Sequence, residues 1–314
     1  MSEQLKIGVA LGSGAAKGWA HIGVLKALIE LDMAPQVVAG CSIGAFVGAA
    51  YAAGKLDALE DWVLSFSSWD VMGLMDPSWR RGGLIEGDKV FDIGGSAIGL
   101  SSLDELTMPF MAVATDLYTG QEVWLDQGDL KENIRASCSI PGLMLPKKIG
   151  DRYLVDGAVV NPVPVSACRA LGADMVIAVD LHGESRQHRD GVVKMDTPVP
   201  EAQKTRQAAD SGFMDFLITG RDVLSRLKRT FTSEHPSSVA VMHQAMAILE
   251  QRHKRSRLVG DPPEAMVLPR VGAIATMEFQ RASEAIAAGE AAVARVADQL
   301  EAERERYENG RNGH

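Results

Sequence analysis

A mainly parallel central β-sheet with helices on both faces, an α/β fold, is what this sequence predicts, and three observations predict it. Short apolar runs alternate with helix-period segments along most of the chain. Runs apolar at nearly every position suit strands buried on both faces, as in a parallel sheet. Two of these runs pass into a helical pattern through a glycine-containing turn, LGSG at 11–14 and GCSIG at 40–44, which is the step that repeats in strand–helix units. With 46% hydrophobic and 23% charged residues in 314, the chain has an ordinary globular composition and can bury a large core.

The elements follow in order. LKIGVAL (5–11) reads as a buried strand, and the segment after it sets Trp19, Ile22, Leu25 and Ile29 at helical spacing. QVVAGC (36–41) is a second strand, and IGAFVGAAYAAG (43–54) a helix of small residues ended by Gly54. PFMAVATDL (109–117) is a third strand, with TGQEVWL as a turn and extended return. DLKENIRASC (129–138) is helical with Asp129 placed to cap it, RYLVDG (152–157) is extended, PVSACRALG (164–172) is helical, and DMVIAVDL (174–181) is another buried strand. From Gly183 to Glu201 the chain turns polar over more residues than a tight connection needs, which reads as a mobile insertion. Residues 213–231 and 238–256 then read as amphipathic helices, EAMVLPRV (264–271) as a strand, and 278–307 as a last helix running into a charged tail. The expected organisation is one domain over 1–314, with a core at 7–182, a polar insertion and helix at 183–235, and a helical completion at 236–307.

Charge and cysteines narrow the function classes. The balance of 32 basic against 41 acidic residues, a net charge of −9, argues against a general nucleic-acid binder, which needs a basic face. Cys41, Cys138 and Cys168 are odd in number and widely spaced, so neither a disulfide framework nor a zinc site is expected, and a reducing cytoplasm fits. The N-terminus has no basic leader before an apolar run, and no stretch reads as a membrane span, so any membrane contact is expected to be peripheral. The oligomeric state is not legible.

GCSIG (40–44) matches G-x-S-x-G. In a glycine-rich chain the pattern arises by chance, and GGSAIG (94–99) comes within one position of it. Its setting is more telling. A strand precedes Ser42 and a small-residue helix follows, the layout of a nucleophile elbow, where Gly40 and Gly44 relieve crowding and free N–H groups face developing negative charge. Cys41 is the rival nucleophile. Strand alternation turns its side chain away from that of Ser42, as a small hydrophobe of the core. In LGSGAAKGWAHIG (11–23) the glycine spacing is one residue longer than a dinucleotide fingerprint and lacks GK[ST]. Its N–H groups could instead form an oxyanion hole, or the loop could be a close-packed turn. Asp156, before Gly157 in DGAVVNPVPV (156–165), could orient or deprotonate a nucleophile, though Asp-Gly is also a common turn. None of the seven histidines stands in a context that marks a triad base, and His21 reads as structural. Residue logic therefore favours a serine–aspartate pair.

Taken together, GSGAAKG (12–18), GCSIG (40–44) and DGA (156–158) resemble the three ordered motifs of the patatin-like phospholipase family, in particular its bacterial members near the neuropathy-target-esterase branch. ATDLYTGQEV (114–123), RASCSIPGLMLP (135–146) and NPVPV (161–165) match in kind, and the resemblance is strong over about residues 7–182. It implies a three-layer α/β fold and a Ser–Asp dyad without a catalytic histidine. The nucleophile falls on Ser42, the proton acceptor on Asp156, and oxyanion stabilisation on the backbone of Gly12, Ser13 and Gly14, with Lys17, Gly18, Gly40, Gly44, Gly157 and Ala158 as supporting motif positions. It further implies a lipid acyl ester as substrate and neither cofactor nor metal. The family usually has three consecutive glycines in the first motif, and Ser13 replaces the middle one. Lys17 stands where arginine is common. A non-catalytic lipid-binding protein and an acyltransferase remain as alternatives, and RHKRSR (252–257) is either a contact for anionic headgroups or a solvated helix end.

Overall fold

The computed structural model describes residues 5–67, 77–78, 84–85, 88–99, 102–183 and 238–312. Five strands run parallel, in the order β10 (Ala265–Val267), β9 (Met175–Val179), β1 (Ile7–Leu11), β2 (Val37–Cys41) and β5 (Phe110–Asp116). Beyond β5 the sheet becomes antiparallel through β8 (Arg152–Asp156) and β7 (Lys147–Ile149), and β6 (Glu122–Leu125) folds back on β5. Strands β3 (Pro77–Ser78) and β4 (Leu84–Ile85) form a separate two-stranded pair.

Every residue of β1, β2, β5 and β9 is buried, because the two alternating sets of side chains feed two cores. Val9, Leu11, Val38, Ala112, Ile177 and Val179 join one core with helices α1 (Ala20–Glu30) and α2 (Ile43–Ala52). Ala10, Ala39, Val113, Val176 and Ala178 join the other, with the short helix α6 (Val165–Ala170). This is the expected mixed α/β sheet with helices on both faces.

One feature of the register places the site. Cys41, the last residue of β2, pairs with Val113 of β5, and the next β5 residue, Ala114, pairs with Asp156 of β8. Strand β6 occupies the opposite edge of β5 over Ala112–Thr115. Strand β8 therefore continues along the edge that β2 vacates, and Asp156 meets the point where the chain leaves β2.

Several elements differ from the sequence expectation. The first helix begins as a 3-10 turn, Ala15–Trp19, and only then becomes α1, which leaves Ile29 46% exposed while Trp19, Ile22 and Leu25 are buried. Helix α3 (Leu56–Leu64) and helix α4 (Asp88–Ile98) stand before β5, and the GGSAIG stretch forms the end of α4 and the turn at Gly99. There Gly94 packs against Trp62 and Phe46. Helix α5 (Leu130–Ser137) has the expected cap, with the Asp129 carboxylate accepting from the Glu132 N–H at 2.8 Å. The strand expected at 264–271 shortens to β10, since Pro269 cannot donate to a ladder. The last helix is two, α8 (Ala282–Ala294) and α9 (Ala297–Asn312), and the bend at Arg295–Val296 lets Leu300 become wholly buried. The polar insertion beyond residue 183 and the helix expected at 213–231 lie outside the described residues.

Helix α7 (Ser238–Gly260) does not sort its residues into an apolar inner and a polar outer face. Val241, Met242 and Leu249 are 50%, 49% and 66% exposed, whereas Lys254 is 4% exposed and is the one buried side chain described on the helix. Among the described residues no helix is long and apolar enough to cross a membrane.

Helices α1 and α8 touch backbone to backbone. A Cβ on Gly23 would collide with the Ile286 carbonyl, and one on Gly289 with that of Ala20. Neither neighbour is a side chain that could swing away. Gly289→Ala should therefore lower the unfolding free energy by about 1–3 kcal/mol, as overpacking does, read as a lower urea midpoint at unchanged slope.

Candidate active site

The turn after β2 forces Ser42 into a conformation few residues adopt, with φ 57° and ψ −127°. A positive φ strains a residue bearing a Cβ, and such strain persists only where the surroundings hold it. Here Gly40 and Gly44 give room. A Cβ on Gly40 would meet the Gly44 carbonyl and Ala45, and one on Gly44 would meet the Leu11 and Gly12 carbonyls. The Ser42 N–H donates to Ser137 Oγ at 2.9 Å, and Ser137 Oγ donates to the Val113 carbonyl at 2.6 Å. The elbow is thus pinned to β5 through the end of α5.

Asp156 arrives from β8, as the register dictates. Ser42 Oγ donates to Asp156 Oδ2 at 2.6 Å, while Asp156 Oδ1 accepts from the Ala158 N–H at 2.8 Å. The Asp156 backbone is fixed twice: its N–H donates to the Ser139 carbonyl at 2.9 Å, and its carbonyl accepts from Thr115 Oγ1 at 2.9 Å. Arg135, itself buried, donates to Ser139 Oγ at 2.6 Å and to the Leu145 carbonyl at 3.1 Å. Gly157 is required because a Cβ there would strike the Val113 carbonyl and the Cys41 thiol. Ser42 and Asp156 are 4% and 3% exposed. Burial pushes the Asp156 carboxyl up to about 7, against the opposing pull of the hydrogen bonds from Ser42 and Ala158.

Cys41 differs from its sequence reading. Its Sγ does not turn away from the site but lies 3.8 Å from Asp156 Oδ1, because the strand zigzag ends at the positive-φ elbow and no longer governs how neighbours diverge. Burial first, and the nearby Asp156 next, raise its thiol well above the ordinary range. It stays protonated at neutral pH and is a poor nucleophile.

The glycine loop is held on nearly every side. The Gly12 N–H donates to the Val179 carbonyl at 3.0 Å and the Ser13 N–H to the Pro162 carbonyl at 2.9 Å, so neither faces an oxyanion here. Gly14, Ala15, Ile43 and Gly44 have no protein acceptor for their N–H groups among the described residues. Gly18 lets the 3-10 turn press on Ile43. Lys17 sits on the same turn, close enough to Glu250 to act on it electrostatically. The Ser13 hydroxyl donates to Glu250 Oε1 at 2.6 Å, across from α7. The Gly12 carbonyl contacts His21 Nε2 at 2.7 Å, and burial lowers that imidazole to about 4. The ring is neutral, and Nε2–H is the donor.

His21 is therefore a structural support. His253 Nε2 contacts the Val160 carbonyl at 2.6 Å. Among the described residues no histidine nitrogen bonds Ser42; His188, His235, His314 and the side chain of His243 lie outside them. The RHKRSR cluster divides: Lys254 forms a buried ion pair with Asp180 at 2.7 Å and Arg257 pairs with Glu122 at 2.9 Å, while Arg252 and Arg255 face outward. Among the described residues no cluster of three acidic, cysteine or histidine groups is placed to hold a metal.

Sequence reasoning singled out Ser42, Asp156 and the glycine loop. It missed Ser137, Ser139, Thr115 and Glu250. Three of these stand in stretches whose resemblance was noted, but no residue pattern gave them a role, and Glu250 carries no local signal at all.

Comparison with known proteins identifies the family. The family model for the patatin-like phospholipase matches residues 9–169. An uncharacterised NTE family protein of Mycobacterium tuberculosis is 30% identical over 96% of this chain and 93% of its own length. The neuropathy target esterase of Drosophila melanogaster is 31% identical over 56% of this chain and 13% of that protein, and a lysophospholipase of Emericella nidulans is 24% identical over 87% and 17%. A strained serine elbow, a buried aspartate on its hydroxyl and a glycine loop beside both thus occur in a chain that belongs to the patatin-like phospholipase family, on its neuropathy-target-esterase branch, and is an esterase by that membership.

Proposed function

We propose that this protein hydrolyses lipid acyl esters, of the phospholipase A or lysophospholipase kind, through an acyl-enzyme on Ser42 with Asp156 as the sole general base. The observation that carries the reading is the 2.6 Å bond from Ser42 Oγ to a buried Asp156. The names of the relatives, esterase and lysophospholipase, support the substrate class.

Asp156 takes the Ser42 proton as Oγ attacks the ester carbonyl. The oxyanion so formed is met by N–H groups with no other acceptor among the described residues, those of Gly14 and Ala15 on the loop and of Ile43 at the start of α2. The dipole of α2 adds to them. The carbonyl reforms, the C–O bond to the alcohol breaks, and Asp156 gives its proton to the leaving oxygen. Water then gives a proton to Asp156 and attacks the acyl carbon. Collapse breaks the acyl–Oγ bond, the proton returns to Ser42, and the fatty acid leaves. A carboxylate usually serves poorly as a base at neutral pH. Burial corrects this by bringing Asp156 close to the working pH.

Ser42→Ala and Asp156→Asn should each reduce release of p-nitrophenol from an acyl ester by at least a thousandfold with the fold intact; substantial activity in either variant defeats the dyad. Because the base must be ionised, kcat/KM of the wild type should fall on the acid side with a midpoint near pH 7. The same titration should appear in stability. Between about pH 4 and 7 the folded state holds a proton on Asp156 that the unfolded state has lost, so wild-type stability declines as pH rises through that window. Asp156→Asn lacks this loss and should gain on the wild type by up to about 1.4 kcal/mol per pH unit across it, read by urea unfolding at several pH values.

A further inference from the structure

The first motif carries a serine where three glycines are usual, and the Ser13 side chain is 7% exposed. A buried hydroxyl needs a partner. Ser13 finds it 237 residues away: its Oγ donates to Glu250 Oε1 at 2.6 Å. The donor and acceptor stand far apart in the chain, and the bond joins the glycine loop to α7, a helix that also reaches the site rim through Lys254 on Asp180, His253 on the Val160 carbonyl and Arg257 on Glu122.

The bond acts on the one part of the loop with donors to spare. Gly12 is tied to Val179 and His21, and the Ser13 N–H to Pro162. Directly after Ser13 come Gly14 and Ala15, whose N–H groups have no acceptor among the described residues, and Ala15 stands at φ 48°, a strained value for a residue with a Cβ. Strained backbone keeps its conformation only when its neighbours are fixed. With Ser13 held at both its N–H and its hydroxyl, the two peptides that follow are aimed rather than free to turn.

We propose that Glu250 is a positioning residue of the hydrolytic site: from helix α7 its carboxyl group holds the Ser13 hydroxyl and thereby aims the Gly14 and Ala15 N–H groups at the oxyanion. The proposal rests on the hydrolase reading above. Glu250 does not touch the reacting atoms. It acts through Ser13, and it also shares the site's electrostatics. Burial raises its carboxyl above the ordinary range, the Ser13 hydroxyl, Lys254 and Lys17 pull against that rise, Asp180 adds to it, and a charge on Glu250 in turn makes Asp156 and the Cys41 thiol hold their protons more tightly.

Phosphonylation of Ser42 by a fluorophosphonate probe tests this, because the reaction builds a negative oxygen in the same place as ester attack does. Glu250→Ala and Ser13→Ala should each slow labelling and lower kcat for a p-nitrophenyl ester about 10- to 100-fold at nearly constant KM, as misaimed oxyanion donors do. The double variant should be no slower than either single one, since both remove the same bond. Glu250→Gln keeps an acceptor for Ser13 and should recover most of the rate, with the acid limb of kcat/KM moved to lower pH because a charge that strengthened Asp156 as a base is gone. A Glu250→Ala protein that labels at the wild-type rate overturns the proposal while leaving the hydrolase reading intact. So does a slow Glu250→Ala protein whose rate Gln does not restore and whose Ser13→Ala counterpart is fast. A wild-type protein that is neither labelled nor active on esters defeats both readings together.

Discussion

Two strands share one edge of β5, and the hand-over between them is the constraint from which the site follows. Strand β2 must stop at Cys41 because the chain turns into α2 through a positive-φ serine. An edge so vacated exposes the unpaired N–H and C=O groups of β5, which is unfavourable inside a protein. Strand β8 fills the gap from the antiparallel direction and ends with Asp156 opposite Ala114. Ladder hydrogen bonds, which are strong in number and fixed in geometry, thus set the carboxylate against the serine. The small residues around the junction follow from it. Gly40, Gly44 and Gly157 lie where two backbones pass too closely to admit a Cβ.

Burial is the second determinant, and it serves two purposes. It brings the affinity of Asp156 for protons near neutrality, which the proposed role of base requires and which histidine supplies in triads. It also keeps Cys41 protonated beside that carboxyl, which in the proposed mechanism leaves attack to Ser42 although the residue types alone would favour sulfur. Desolvating a carboxylate is unfavourable. The surrounding donors from Ser42 and Ala158, and the backbone ties to Ser139 and Thr115, are what hold it in place regardless.

The sheet and the elbow were legible in the sequence because both are local. Five apolar residues in a row mark β1 and β2, and glycines at fixed offsets mark a turn whose backbone has no other solution. The Asp129 cap was legible for the same reason. What was hidden depends on residues far apart. Ser137 and Ser139 look like ordinary helix-end serines until β5 and β8 arrive, and Glu250 looks like any acidic residue on a polar helix. Alternation misplaced Cys41 since it assumes a strand that continues. A single periodic stretch over 278–307 concealed a bend, because periodicity records which face is apolar and not whether the axis is straight. The cationic run at 252–257 was read as one patch, although helical spacing sends Lys254 and Arg257 inward and Arg252 and Arg255 outward.

Helix α7 rests on the site rim largely through hydrogen bonds and ion pairs, with Val241, Met242, Leu249 and Val259 on the outside and Leu258 packed against the core. Most helices adhere by removing hydrocarbon from water, and peeling one away carries a large heat-capacity change. Peeling α7 would uncover mainly groups that water can solvate, so its attachment should answer more to salt and pH than to temperature. In calorimetric terms the helix should contribute little, and ionic strength should be the variable that speaks to it.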